Sequence, residues 1–155
     1  MRDSISTIRE DVRIGLFIIL VSLVVYMLQW NLSFRLNVIM VCVLLLSICV
    51  SRSVLYLFFL VGWLVVVKYT HTPSFELLAI GGMGIVSYIT KRFFISPSKY
   101  GIFLMTLVVL CTIFFWVLFG AEYIGSSLFF LELISSLAYA MILYGGIVWL
   151  RKTFI

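Results

Sequence analysis

Glu132 is the side chain in this sequence whose position most suggests chemistry. It lies about one helical turn into the last apolar run. A carboxylate at that depth either extends to the membrane interface or lines a cavity that opens to one side of the bilayer. The simpler interpretation is an interfacial glutamate. The functional one is an outward-facing pocket for a small-molecule ligand, completed by Lys68, His71 and Glu76, with Arg35 as a further possible partner for the carboxylate.

Metal and nucleophile chemistry has little support in the sequence. His71 is the only histidine, and no cysteine or second histidine lies near it. Cys42, Cys49 and Cys111 all fall within apolar runs without a CxxC pair, so we expect small core or lipid-facing residues rather than a zinc site or a disulfide framework. There is no nucleophile-elbow motif and no ionisable side chain in the middle of an apolar run. We therefore expect no metal, no cofactor and no enzymatic activity.

Small residues form the second candidate site, because they let helices approach closely within a membrane. They are Ala79, Gly81, Gly82 and Gly84 in the fourth apolar run, and Ser136 and Ala140 in the sixth. We expect these two faces to pack against each other or against a partner helix. An alternative is that the glycines make room for a ligand. They do not form a phosphate-binding loop, since no Lys-Ser/Thr pair follows at the required spacing.

The composition requires lipid around these residues. Of 155 residues, 65% are hydrophobic and 11% are charged, and the mean hydropathy is +1.27. Soluble domains carry about 45–50% apolar and roughly 25% charged residues. The net charge of +5 comes from basic residues scattered between apolar runs rather than from one patch, so nucleic acid is not an expected partner.

The apolar runs predict an all-α, polytopic membrane protein: a compact bundle of six transmembrane helices with short loops. The predicted spans cover residues 13–30, 36–50, 54–67, 75–90, 100–120 and 128–150. A polar segment, 1–12, precedes this single domain of residues 13–150, and a short basic tail, 151–155, follows it. The loops leave little of the chain outside the bilayer.

The segment 36–67 allows two interpretations, because its two apolar runs are short for a hydrocarbon core about 30 Å thick. They are either two thin spans joined at Ser51-Arg52-Ser53, or one re-entrant hairpin with Arg52 near the midplane. An arginine at the bilayer centre costs about 2.5–3.5 kcal/mol even on the insertion scale. That cost favours two spans.

Basic residues predict the orientation, because cytoplasmic loops collect lysine and arginine. Six spans place nine of the eleven on the side of both termini: Arg2, Arg9, Arg13, Arg52, Lys91, Arg92, Lys99, Arg151 and Lys152. Arg35 and Lys68 remain on the other side. We therefore expect both termini in the cytoplasm.

The chain resembles the MreD family of rod shape-determining membrane proteins. The resemblance rests on the six-span outline and on three stretches, which are Leu60-Val61-Gly62-Trp63, the segment from Ser74 through Gly84 to Lys91-Arg92, and Trp149-Leu150-Arg151-Lys152. It implies a scaffold in a bacterial inner membrane that binds a single-span partner of the MreC type within the cell-wall elongation machinery.

Two functional hypotheses follow. The first is a non-enzymatic membrane subunit that acts through helix–helix association in a larger complex. The second follows from a similarity in outline to the substrate-binding subunits of energy-coupling-factor transporters, which implies a vitamin-type ligand in an outward-facing pocket.

Overall fold

A computed structural model describes residues 2–29, 38–68, 74–119 and 127–154. Every regular element in these ranges is helical, as predicted. The α-helices are α1 (Arg2–Gln29), α2 (Val38–Cys49), α3 (Ser53–Lys68), α4 (Ser74–Phe94), α5 (Tyr100–Phe119) and α6 (Ser127–Phe154). A 3₁₀ turn, Pro97–Lys99, precedes α5. The polar segment that precedes the first predicted span is helical from Arg2 onward and is continuous with that span in α1.

Four of the helices are long and apolar enough to cross a membrane. The candidate segments are Thr7–Leu28, Leu77–Phe94, Pro97–Leu118 and Ser127–Thr153. By contrast, α2 and α3 are shorter apolar helices, with 12 and 16 residues. The chain thus has the helices of a membrane protein, and the crossing of the bilayer by α2 and α3 remains a prediction.

The centre of the bundle is α2, which contacts each of the other five α-helices. All of its residues except Ile39 are buried. A helix that is hydrophobic all round is stable only when it is enclosed. Its one hydroxyl is satisfied locally, since Ser47 Oγ donates a hydrogen bond of 2.7 Å to Leu44 O.

The other five helices surround α2. Contacts join α1 to α3, α3 to α4, α4 to α5, and α5 to α6. The circle closes between α6 and α1, where Tyr139 donates a hydrogen bond of 2.9 Å to Ser22 Oγ. The outward faces of these helices are apolar: Leu78, Ile102 and Ile142 are each more than 70% exposed. Lipid is the environment that such a surface requires.

The helices α2 and α4 run side by side in the same direction. A Cβ atom on Gly84 would contact Val43, and Lys91 Nζ donates a hydrogen bond of 2.7 Å to Val50 O. Both pairs are 41 residues apart in sequence, so the register is constant along the two helices. The absence of a side chain at Gly84 is what allows α2 to lie this close to α4.

Candidate functional site

The predicted outward pocket is represented in the described residues by Glu132 and Lys68. The half-buried carboxylate of Glu132 accepts a hydrogen bond of 3.0 Å from Trp116 Nε1, between α5 and α6. The Trp116 ring meets Phe129 edge to face, with centroids 5.7 Å apart. Lys68 is exposed at the last residue of α3. Arg35, His71 and the side chain of Glu76 lie outside the described residues, so the pocket itself stays a prediction.

The small residues of α4 divide between its two sides. Gly84 and Gly81 face the bundle. A Cβ atom added at Gly84 would meet Val43, and one added at Gly81 would lie 3.1 Å from Leu64 Cδ1. Gly82 is exposed, and a Cβ atom there would have nothing within 4 Å. Ala79 is half-buried. Two of the three glycines therefore contribute to packing within the bundle, and Gly82 leaves a gap on its outer surface.

The small residues of α6 face inward. Ser136 and Ala140 are both fully buried. The main neighbours of α6 are α5 and α2, whereas α4 packs chiefly on α2. The small faces of α4 and α6 thus contribute to a bundle centred on α2, rather than to one close α4–α6 contact of the kind the sequence suggested.

The strongest polar arrangement lies at the connection between α2 and α3, and sequence analysis did not identify it. Asp11 of α1 is only 1% exposed. Its carboxylate accepts hydrogen bonds from the backbone N–H of Ser51, at 3.2 Å to each oxygen, and from that of Arg52 at 3.0 Å. Arg52 is the N-cap residue of α3, because its carbonyl accepts the first helical hydrogen bond, from Tyr56 N. Asp11 therefore binds the N–H of the N-cap residue, as the acidic residue of a capping box does, but from another helix.

Two cations bind the other side of the same connection. Lys91 Nζ donates hydrogen bonds to Ile48 O at 3.2 Å and Val50 O at 2.7 Å. Arg151 Nη2 donates one of 2.9 Å to Cys49 O. The last carbonyl groups of a helix have no partner within it and carry partial negative charge, so cations are well suited to them. Three consecutive carbonyls at the end of α2 are satisfied in this way.

Further contacts hold these groups in place. Arg151 Nε forms an ion pair of 3.0 Å with Glu10 Oε1. Tyr88 donates a hydrogen bond of 2.8 Å to Ser51 O, and the Lys91 ammonium lies 4.7 Å from the centre of the Tyr88 ring. We call Glu10, Asp11, Tyr88, Lys91 and Arg151 the charged cluster, and the end of the bundle that contains it the charged end. Side chains from α1, α4 and α6 meet there around one short connection.

The described contacts of the charged cluster are structural, because they hold the backbone of the α2–α3 connection. A buried backbone group without a partner costs about 1–3 kcal/mol, which these contacts avoid. Beside the cluster, a cleft of about 680 Å³ opens between the α2–α3 connection, α4 and α6.

The sequence shows each charge but not their association. Lys91 and Arg151 lie where basic residues are expected to mark the ends of helices. Asp11 lies in the N-terminal polar segment. The bonds from Asp11 to Ser51 and from Arg151 to Cys49 span 40 and 102 residues. No local pattern predicts pairs so distant in sequence.

No protein-family model, curated protein or solved structure matches the chain.

Proposed function

We propose that this protein is a non-enzymatic subunit of a membrane complex that binds a transmembrane helix of a partner protein through the outer face of α4. It crosses the membrane six times, with both termini and the charged end on the cytoplasmic side. The observation that carries the proposal is the open space at Gly82, between the exposed side chains of Leu78 and Val86 on the outer face of α4.

The position of the α2–α3 connection supports two crossings by α2 and α3. The connection contacts Tyr88 and Lys91, close to the C-terminal end of α4. At 1.5 Å per residue, Lys91 is about 10 Å from Gly84, the middle residue of α4. A re-entrant hairpin would place Arg52 near that middle level instead.

The distribution of charge supports the orientation. Most of the described basic side chains gather at the charged end. They come from the 51–53 turn, from the C-terminal ends of α4 and α6, and from the N-terminal end of α1. Lys68 lies at the far end of α3. An excess of lysine and arginine at one end is the pattern that keeps that end in the cytoplasm.

The outer face of α4 supports partner binding. Leu78 and Val86 lie one turn before and one turn after Gly82, and they are 74% and 64% exposed. Between them a Cβ atom on Gly82 would have open space. A glycine flanked by large apolar residues lets the backbone of another helix approach, which is how transmembrane helices associate without a hydrophobic driving force.

The proposed occupant is one transmembrane helix with a small-residue face of its own. Nearly all of the described chain is helical, so the surface available to a partner lies mostly within the bilayer. If the MreD resemblance holds, the first candidate is a single-span partner of the MreC type in a bacterial inner membrane.

Substitution of Gly82 tests this proposal. We expect the wild-type chain, purified in mild detergent, to retain a stoichiometric membrane protein detectable by mass spectrometry, and Gly82→Leu to lose it. Gly145→Leu is the matched control, because Gly145 is an exposed glycine with open space around it on α6. Both variants should unfold at the wild-type temperature.

Retention of the same partner at wild-type stoichiometry by Gly82→Leu would refute the docking face. Gly84→Leu is not a suitable probe of docking, because its side chain would collide with Val43 and Tyr56 and damage the bundle itself. A bound small molecule or a co-purifying ATPase pair, in place of a single-span protein, would favour the transport hypothesis.

A further inference from the structure

The cleft at the charged end is lined by cationic side chains from three parts of the fold. They are Arg52 from the α2–α3 connection, Lys91 and Arg92 from α4, and Arg151 from α6. The cleft has a volume of about 680 Å³, which is within the range of pockets that hold small ligands or lipid headgroups. The hydrogen bonds from Lys91 and Arg151 to the end of α2 are complete without a ligand in the cleft.

Two of these cations, Lys91 and Arg92, form no ion pair with a carboxylate of the described residues. Arg151 is paired with Glu10. Lys91 is only 6% exposed, and its described partners are two neutral carbonyl groups and the rings of Tyr88 and Tyr100. A buried ammonium is costly unless negative charge compensates it. The Asp11 carboxylate already attracts the Lys91 ammonium from within the bundle, and an anion in the cleft would add to that negative charge.

Arg92 differs from Lys91 because it is exposed and bonds to no part of the α2 end in the described structure. Its guanidinium offers five N–H donors in a planar fork that matches the oxygens of a phosphate group. Arg92 can therefore bind a ligand without loss of the contacts that hold the α2–α3 connection.

The first turn of α3 adds backbone donors to the same cleft. Ser53, Val54 and Leu55 line it, and the first hydrogen bond within this turn is the one from Tyr56 N to Arg52 O. The N–H groups of Ser53, Val54 and Leu55 therefore have no acceptor inside the helix. A helix N-terminus beside arginine side chains favours phosphate.

The remaining wall of the cleft is apolar and aromatic. Ile8 and Val54 border it, with Val54 77% exposed, and Tyr100 lies on the other side. A charged floor beside an exposed apolar rim has the amphipathic character of a phospholipid, whose phosphate and acyl chains require opposite environments.

We propose that this cleft is a binding site for a phosphate-bearing anion, held by Arg92 and Lys91 with the first turn of α3. The phosphate is carried either by the headgroup of an anionic phospholipid or by a small soluble compound. The site rests on the lining of the cleft and is independent of the partner that binds at Gly82.

Native mass spectrometry of the purified full-length chain tests the lipid source. The protein is reconstituted into nanodiscs of phosphatidylcholine containing a minor share of phosphatidylglycerol, and then released into detergent. We expect retention of phosphatidylglycerol well above its share in the bilayer. The soluble source is tested in neutral detergent, where glycerol phosphate and inorganic phosphate are titrated while the unfolding temperature is followed.

Arg92→Gln should weaken retention, or the apparent affinity for the soluble phosphate, by about tenfold, which corresponds to the loss of one charge-assisted hydrogen bond. Lys152→Gln is the matched control: Lys152 is exposed at the same end and carries the same charge, but does not line the cleft. Its binding should stay at the wild-type level. Ser53→Glu, which adds an anion beside the first turn of α3, should abolish binding while the protein remains folded.

Selective retention of phosphatidylglycerol identifies the headgroup as the ligand, and stabilisation by glycerol phosphate without selective retention identifies a soluble one. The proposal is overturned if phosphatidylglycerol is retained only in proportion to its share and neither soluble phosphate raises the unfolding temperature. It is also overturned if Arg92→Gln and Lys152→Gln reduce binding equally, because that result would indicate nonspecific attraction to the charged end.

Discussion

Lys91 illustrates how a single residue can mark a helix end in sequence and hold the core in structure. Its ammonium is buried and satisfies the carbonyl groups of Ile48 and Val50 at the end of α2. The Coulombic attraction to that helix end adds to the two hydrogen bonds.

We expect Lys91→Met to destabilise the protein by about 2–6 kcal/mol, since it leaves two buried carbonyl groups without a donor at about 1–3 kcal/mol each. At roughly 2–4 °C per kcal/mol, the unfolding temperature in detergent should fall well below the wild-type value. Lys152→Met is the control, because Lys152 is exposed. Equal unfolding temperatures for the two variants would show that the Lys91 contacts contribute nothing.

At the scale of elements, α3 begins where it does because another helix caps it. The backbone N–H groups of Ser51 and Arg52 point at the Asp11 carboxylate of α1. A side chain local to the connection could have supplied this cap, as serine does in many proteins. The use of Asp11 instead couples the start of α3 to the packing of α1.

We expect Asp11→Ala to open the α2–α3 connection, with faster amide hydrogen exchange in peptides that cover residues 50–56. The hydrogen bonds that this substitution removes have a charged acceptor, and such bonds contribute about 1.5–3 kcal/mol each. Asp11→Asn keeps one amide oxygen as an acceptor, so its exchange should be intermediate between that of wild type and Asp11→Ala. The account of this cap fails if Asp11→Ala exchanges at the wild-type rate.

The apolar runs predicted the elements well, because the length and hydropathy of a helix are local properties. The all-helical class and the six α-helices of the described residues agree with the sequence analysis. The sequence left open whether Cys42, Cys49 and Cys111 lie in the core or face lipid, and the structure buries all three. The central position of α2 was not predictable in the same way. In sequence α5 is as apolar as α2, yet many of its side chains face outward.

The candidate site was less predictable than the elements. All the small residues of α4 were predicted to pack against α6 or a partner helix, whereas contacts with α2 and α3 separate Gly84 and Gly81 from Gly82. Which side of a helix meets its own bundle depends on the positions of the other helices. The same is true of the charged cluster, whose members come from three helices.

At the scale of the whole molecule, the charged end and the apolar sides have separate roles. The circle of α1, α3, α4, α5 and α6 exposes apolar side chains and has open space at Gly82, while the charged cluster fixes the α2–α3 connection at one end. Our account requires that this end lie at the cytoplasmic surface, since that location relieves the cost of placing arginine and lysine in lipid.

The accessibility of single cysteines tests this account most directly. In a background with Cys42, Cys49 and Cys111 replaced by alanine, cysteine is placed at Ser51 in the α2–α3 connection, at Ser98 in the 3₁₀ turn, or at Thr72 in the predicted loop 68–74. We expect a membrane-impermeant maleimide to label the Thr72 variant in intact cells, and the other two only after permeabilisation. If the cysteine at position 98 is labelled after permeabilisation and the one at position 51 is not, the segment 36–67 is a re-entrant hairpin. Labelling of the cysteines at positions 72 and 98 from the same side of the membrane would contradict the six-span bundle.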